Sequence, residues 1–243
     1  MQETAQLLAE QFAYDYHCKP EDFLNRETLV TEYTPHPRAR RRAAHGILSI
    51  LSFGGKLVIT SAPELKPWCE QTLAKRLSAQ WCLEAGSLIS IDRKLAEFGY
   101  GIEQAHLFFA PRFPVPDAEC PVWLLDKSDI AALESDERID EAFLFEDYVE
   151  DVLGTACYDA SGALLAVSGA TANSDLMWEM GVNSFAEGKG YGKATLAALT
   201  NEIIRLGKVP FYGTALSHIA SQNLALRVGL VPMFAELTTS KLE

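Results

Sequence analysis

The run Trp178-Glu179-Met180-Gly181-Val182-Asn183-Ser184-Phe185-Ala186-Glu187-Gly188-Lys189-Gly190-Tyr191-Gly192-Lys193 decides how this chain is read. Its first part closes a strand predicted over residues 176–182. Its end opens a helix that places Leu196, Leu199, Ile203 and Leu206 on one face. Between them, glycines alternate at 188, 190 and 192. Bare backbone at a helix start leaves N–H groups with partial positive charge, which suits a phosphate or pyrophosphate. An ordinary tight turn is the plain alternative. Two common phosphate loops fail. The pattern G-x-x-x-x-G-K-[ST] needs glycine where Glu187 stands and serine or threonine where Ala194 stands. The pattern G-x-G-x-x-G fits Gly188 and Gly190 but meets Lys193 where its third glycine belongs.

Downstream, Gly207 predicts a left-handed helix end, with Arg205 and Lys208 placed to suit its negative pole. A strand over 209–216, a short helix over 219–228 capped by Ser217 and ended by Gly229, and a strand over 230–237 complete the chain. Upstream, strands over 152–158 and 163–170 flank the turn Asp159-Ala160-Ser161-Gly162. Before them come an acidic helical stretch from Asp126 to Glu150 and a short strand over 121–125.

Three prolines between Pro111 and Pro116 predict an extended linker. They divide an N-terminal α/β domain, residues 1–112, from a second domain, residues 119–243. In the first, Leu7, Leu8, Phe12 and Tyr16 predict a helix over 3–17. Gly54-Gly55 turns a hairpin of 46–52 and 56–61. A helix begins near Pro63 and carries Trp68, Leu73 and Leu77. A strand spans 105–110. No motif in this half ties to chemistry; an acceptor-recognising lid, a dimerisation unit and a second copy of the same fold all remain open for it.

The 243 residues carry a formal net charge of −12 at pH 7 and have a pI near 4.9, which argues against nucleic acid as the main partner. The basic cluster Arg38, Arg40, Arg41 and Arg42 could grip phosphates or an acidic partner, and reads more plainly as the solvated face of a helix through Ala39, Ala43 and Ala44. No apolar run reaches the roughly 20 residues of a membrane span, and the first residues lack a leader pattern. Cys18, Cys69, Cys82, Cys120 and Cys157 are scattered and odd in number. They read as free thiols in a reducing cytosol rather than a disulfide framework or zinc site.

Residues 180–230 resemble the GNAT superfamily of N-acetyltransferases. In that family a strand ending in valine leads to Q/R-x-x-G-x-G/A, a helix, a strand and a second helix ending G-F. Val182, Gly190, Gly192 and the run His218-Ile219-Ala220-Ser221-Gln222-Asn223-Leu224-Ala225-Leu226-Arg227-Val228-Gly229-Leu230 match this order. Three positions depart from it: Glu187 replaces Gln or Arg, His218 replaces Asn, and Ala225 stands where many members have a tyrosine acid. The resemblance implies an α/β (α+β) fold with a mixed, mostly antiparallel sheet. It implies acetyl transfer from acetyl-CoA to a primary amine by direct attack, with no metal. Gly188, Lys189, Gly190, Tyr191, Gly192 and Lys193 would take the pyrophosphate, with Ser221 beside the cofactor. Met180 and Val182 would line the pantetheine arm, a backbone N–H there polarising the acyl carbonyl.

Glu179 is the candidate base, and a solvent-facing strand carboxylate is its alternative. His218 is the second candidate, or else a helix-start residue bonding backbone or pantetheine. Tyr191 and Tyr212 are candidates for the missing acid. The acidic stretch from 126 to 151 suits a cationic acceptor or is simply a solvated surface. A homodimer is compatible with this reading. So is a non-catalytic module that keeps only CoA binding, which Ala225 and Glu187 motivate.

Overall fold

The protein is described by a computed structural model that covers residues 4–41 and 46–242. Arg42, Ala43 and Ala44 of the basic cluster and the expected helix start at Glu3 lie outside the described residues. Two compact units divide the chain. One is built around Phe109–Thr214 and His218–Val231, the other around Ala5–Phe108 and the residues from Pro232 onward. The boundary thus falls ahead of the proline-rich segment, and most of the final strand is grouped with the N-terminal residues rather than with 119–230. No helix among the described residues is long and apolar enough to cross a membrane.

In the N-terminal unit, α1 (Thr4–Asp15) buries Leu8 and Phe12. The sheet order is β1 (Leu29–Glu32), β3 (Lys56–Ser61), β2 (Leu48–Phe53), β10 (Val231–Lys241) and β4 (Tyr100–Ala110). The β2–β3 hairpin turns at Gly54 and Gly55 as expected, both at positive φ. The expected helix near Pro63 starts later. The chain first makes a turn, and α2 (Lys66–Trp68), a π-wound turn Cys69–Leu73 and α3 (Ala74–Arg76) follow, with Pro67 in the first turn instead. Leu65, Cys69 and Leu73 then pack with Ile91 and Leu95 of α4 (Ala85–Ala96) over Leu48, Ile50, Leu57 and Ile59. Helix α4 and strand β1 were not expected from the sequence, although Leu88, Ile91 and Leu95 of α4 stand at helical spacing.

Arg40 corrects the reading of the basic cluster. It is not on a solvated helix face but buried, between Asp15 of α1 and Glu236 of β10. Its guanidinium also lies 5.3 Å from the Phe12 ring centroid and 6.0 Å from that of Phe234. The Tyr16 hydroxyl donates to Glu236. Burial works against the Arg40 charge, but Asp15 and Glu236 outweigh it and raise its pKa well above the ordinary value.

The second unit holds β5 (Trp123–Leu125), α5 (Lys127–Leu133), β6 (Asp151–Tyr158), β7 (Leu164–Thr171), β8 (Met177–Ser184), α6 (Tyr191–Arg205), β9 (Val209–Ala215) and α7 (Ile219–Val228). The strands lie in the order β9-β8-β7-β6-β5, with β8 and β9 parallel and the other pairs antiparallel. This is the expected mixed, mostly antiparallel sheet of an α+β protein. Helix α6 covers one face. Leu196, Leu199 and Ile203 are buried, and Thr195 is bonded by the hydroxyls of Thr155 and Ser168. Leu206, expected on that face, is exposed at the helix end, where Gly207 follows at φ 74°. The cap of α7 is His218 rather than Ser217.

The acidic helix is much shorter than expected. Asp126 caps α5 by accepting from the N–H groups of Ser128 and Asp129, and the helix ends at Leu133. Beyond it, short polar side chains turn toward local groups instead of supporting helix. Asp136 takes the N–H and guanidinium of Arg138. Ile139, Ala142 and Phe143 are buried in a cluster with Val167 and Ala156. This segment crosses the sheet face opposite α6, over Gly154, Gly169 and Gly181, which stand in register across β6, β7 and β8. A Cβ at Gly181 would sit 1.7 Å from the Glu141 carbonyl oxygen, and one at Gly169 2.0 Å from that of Ala142. Glycine is therefore required at both positions.

Candidate functional site

Strand β8 positions the site. Its registered pairing with β9 covers Met177–Glu179, opposite Val209–Phe211, whereas its pairing with β7 continues to Ser184. The two parallel strands thus part after Glu179. Pro210 sits opposite Trp178, so β9 offers no N–H from that residue. Residues 180–184 keep one laddered side and turn the other toward the opening.

Alternation along β8 separates two faces. Met180 meets the Thr200 hydroxyl under α6, and Val182 lies near Gly192. Glu179, Gly181 and Asn183 face the crossing segment. Asn183 Oδ1 accepts from the N–H groups of Glu141 and Ala142 at 3.1 and 2.8 Å, and its Nδ2 donates to Asp140 at 2.6 Å. Glu179 is half-buried. Asn173 Nδ2 donates to its carboxylate at 3.1 Å, and Asn173 Oδ1 accepts from its own N–H at 3.2 Å. A carboxylate so held points in a fixed direction rather than sweeping through solvent.

Beyond β8 the glycines do separate jobs. Gly188 and Gly190 have φ of 70° and 84°, with open space where a Cβ would stand, so backbone conformation alone selects them. Gly190 is the helix cap and offers no side chain to bond the first turn. The N–H groups of Tyr191, Gly192 and Lys193 precede the first helical bond, made by Ala194 to Gly190 at 3.0 Å, and therefore face the loop. Gly192 is chosen by packing. A Cβ there would lie 3.3 Å from Ser184 Cβ. Glu187 and Lys189 are exposed, and Lys193 reaches Glu119 at 3.7 Å. This bare, outward-facing N-terminus fits a pyrophosphate.

On the α7 side, the Tyr212 hydroxyl and Ser221 Oγ are 2.7 Å apart and buried. Burial raises the Tyr212 pKa above its ordinary value; the Ser221 bond opposes this, and the charge of Glu141 adds to it. Ala225 is fully buried and brings no titratable group. His218 is exposed at the cap of α7 and makes no capping bond. The structure thus places Glu179, Met180, Val182 and the glycine loop along one continuous strand–loop–helix, and Ser221 against Tyr212. Asn173, Asn183 and Glu141 were missed. Asn173 reads in sequence as a turn residue, and only the alternation Glu179, Gly181, Asn183 hints that these share a face.

No family model matches the sequence, and no curated protein does. Solved structures do match. A GCN5-related N-acetyltransferase from Kribbella flavida, 16% identical, aligns over 99% of this chain and 96% of its own with a TM-score of 0.50. Another from Sphaerobacter thermophilus, 14% identical, aligns over 98% and 92% with a TM-score of 0.47. The Kribbella alignment takes in both units, and with the glycine loop following a splayed parallel strand pair it gives the conclusion that this chain has the fold of the GCN5-related N-acetyltransferase superfamily.

Proposed function

We propose that the protein is an N-acetyltransferase that moves an acetyl group from acetyl-CoA to a primary amine. The observation that carries the reading is the parting of β8 from β9 after Glu179, directly ahead of a glycine loop and a helix N-terminus. The backbone N–H groups at 190–193 would bind the pyrophosphate, with Lys189 and Lys193 supplying positive charge. The open side of residues 180–182 would hold the pantetheine arm and polarise the carbonyl. The acceptor nitrogen then bonds the acetyl carbon as the C–S bond breaks. Glu179, oriented by Asn173, takes the amine proton directly or through water. Tyr212, whose pKa burial raises and whose hydroxyl meets that of Ser221, would return one to the thiolate.

Differential scanning fluorimetry with acetyl-CoA, CoA and ATP tests the first half. Ligand near 100 times Kd adds about 2.7 kcal/mol, so the CoA species shift the transition and ATP does not. Thiol release across an amine panel tests the second, and Glu179→Gln lowers it by about 100-fold or more while CoA binding persists. Unchanged turnover in that variant removes Glu179 from the chemistry. A second reading, a CoA-binding module without catalysis, is favoured by the buried Ala225. It requires a CoA shift with no product from any amine.

A further inference from the structure

We infer that Cys120 and Cys157 form a hydroperoxide-oxidisable pair, a dithiol that closes to an intramolecular disulfide. Their sulfurs are 3.8 Å apart, and among the described residues no other two cysteine sulfurs come within hydrogen-bonding range of each other. The two positions differ in exposure. Cys157 lies on β6, 1% exposed, with its thiol also donating to the Pro121 carbonyl at 3.4 Å. Burial pushes its pKa up to about 12, with Cys120 adding to the shift. Cys120 is only half-buried and sits in the irregular residues ahead of β5, where a small oxidant reaches it. Closure to an S–S bond of about 2.05 Å needs movement of that irregular segment and leaves the strand in place.

The chemistry balances with hydrogen peroxide as oxidant. Oxygen transfer to Cys120 breaks the O–O bond, gives a sulfenic acid and releases one water. The Cys157 sulfur then attacks, the S–O bond breaks, and the second water leaves with the Cys157 proton. Two thiols are oxidised by one electron each, and the peroxide takes up both. The bridge would fasten the segment that carries Glu119, whose carboxylate faces Lys193 at the start of α6. In register, Cys157 pairs with Ala166 and Ala166 with Ser184, the residue under Gly192. Oxidation therefore acts beside the glycine loop whatever that loop binds.

The test treats the full-length reduced protein with hydrogen peroxide, followed by alkylation under denaturing conditions and non-reducing peptide mapping. The expected result is one cross-linked peptide joining Cys120 and Cys157, with Cys18, Cys69 and Cys82 still alkylated. In Cys157→Ser, dimedone labels Cys120. Cys120→Ser, at the less buried position, leaves Cys157 alkylated. A wild-type protein in which Cys120 passes to sulfinic acid while Cys157 remains alkylated would overturn the proposal. So would a disulfide between any other pair.

Discussion

Gly181→Ala is the sharpest probe of the site's architecture. The added Cβ would stand 1.7 Å from the Glu141 carbonyl oxygen, where real contacts begin at 3.0 Å, so the segment must retreat by 1.3 Å. The obstacle is backbone, which has no rotamer to change. A retreat of that size breaks the two bonds from Glu141 and Ala142 to Asn183. At about 1 kcal/mol each, with overpacking of about 1–3 kcal/mol where the segment moves only partly, the cost is about 3–5 kcal/mol. For a chain of this size that lowers Tm by about 6–20 °C, and hydrogen exchange at the 141 and 142 amides accelerates. Asn183→Ala removes the same bonds from the other side, so the double variant falls short of the sum of the singles. A Gly181→Ala protein that melts within 1 °C of the parent, with unchanged exchange at 141 and 142, would refute the packing of this segment on β8.

The other predictions are more local. Gly190→Ala meets no steric neighbour but holds φ at 84°. It costs about 1–2 kcal/mol of stability and, in fluorimetry, reduces the shift produced by CoA. Arg40→Ala removes the buried guanidinium that pairs with both Asp15 and Glu236. Urea unfolding of the N-terminal unit is weakened by about 3–5 kcal/mol, and a loss under 1 kcal/mol would sink the buried-network reading.

The strand–loop–helix at 177–205 and the helix at 219–228 were legible because their information is local. Alternation, helical periodicity and glycine at positive φ are all written within a few residues of where they act. The crossing segment was not legible. Its acidic residues suggest an exposed helix, yet its fate is set by Gly154, Gly169 and Gly181, which are apart in sequence and meet only through strand register. The buried Arg40 failed for the same reason, since Glu236 lies 196 residues away. Cys120 and Cys157 likewise carry no spacing that marks them as a pair.

The missing tyrosine at position 225 separates the catalytic from the non-catalytic reading, and under the proposed catalytic reading Tyr212 would act in its place. A proton donor must be protonated to act, so the rate falls as pH rises through its pKa. Burial raises the Tyr212 pKa above the ordinary tyrosine value near 10, and the Ser221 hydrogen bond partly lowers it again. The basic limb of kcat therefore lies on the alkaline side of an ordinary tyrosine's titration. Ser221→Ala, by removing the lowering influence, moves that limb higher still, and Tyr212→Phe lowers kcat across the plateau while leaving the CoA-induced thermal shift in place. A limb near neutral pH that neither variant displaces would remove Tyr212 from the proton path, because both variants act on the one hydroxyl pair the geometry provides.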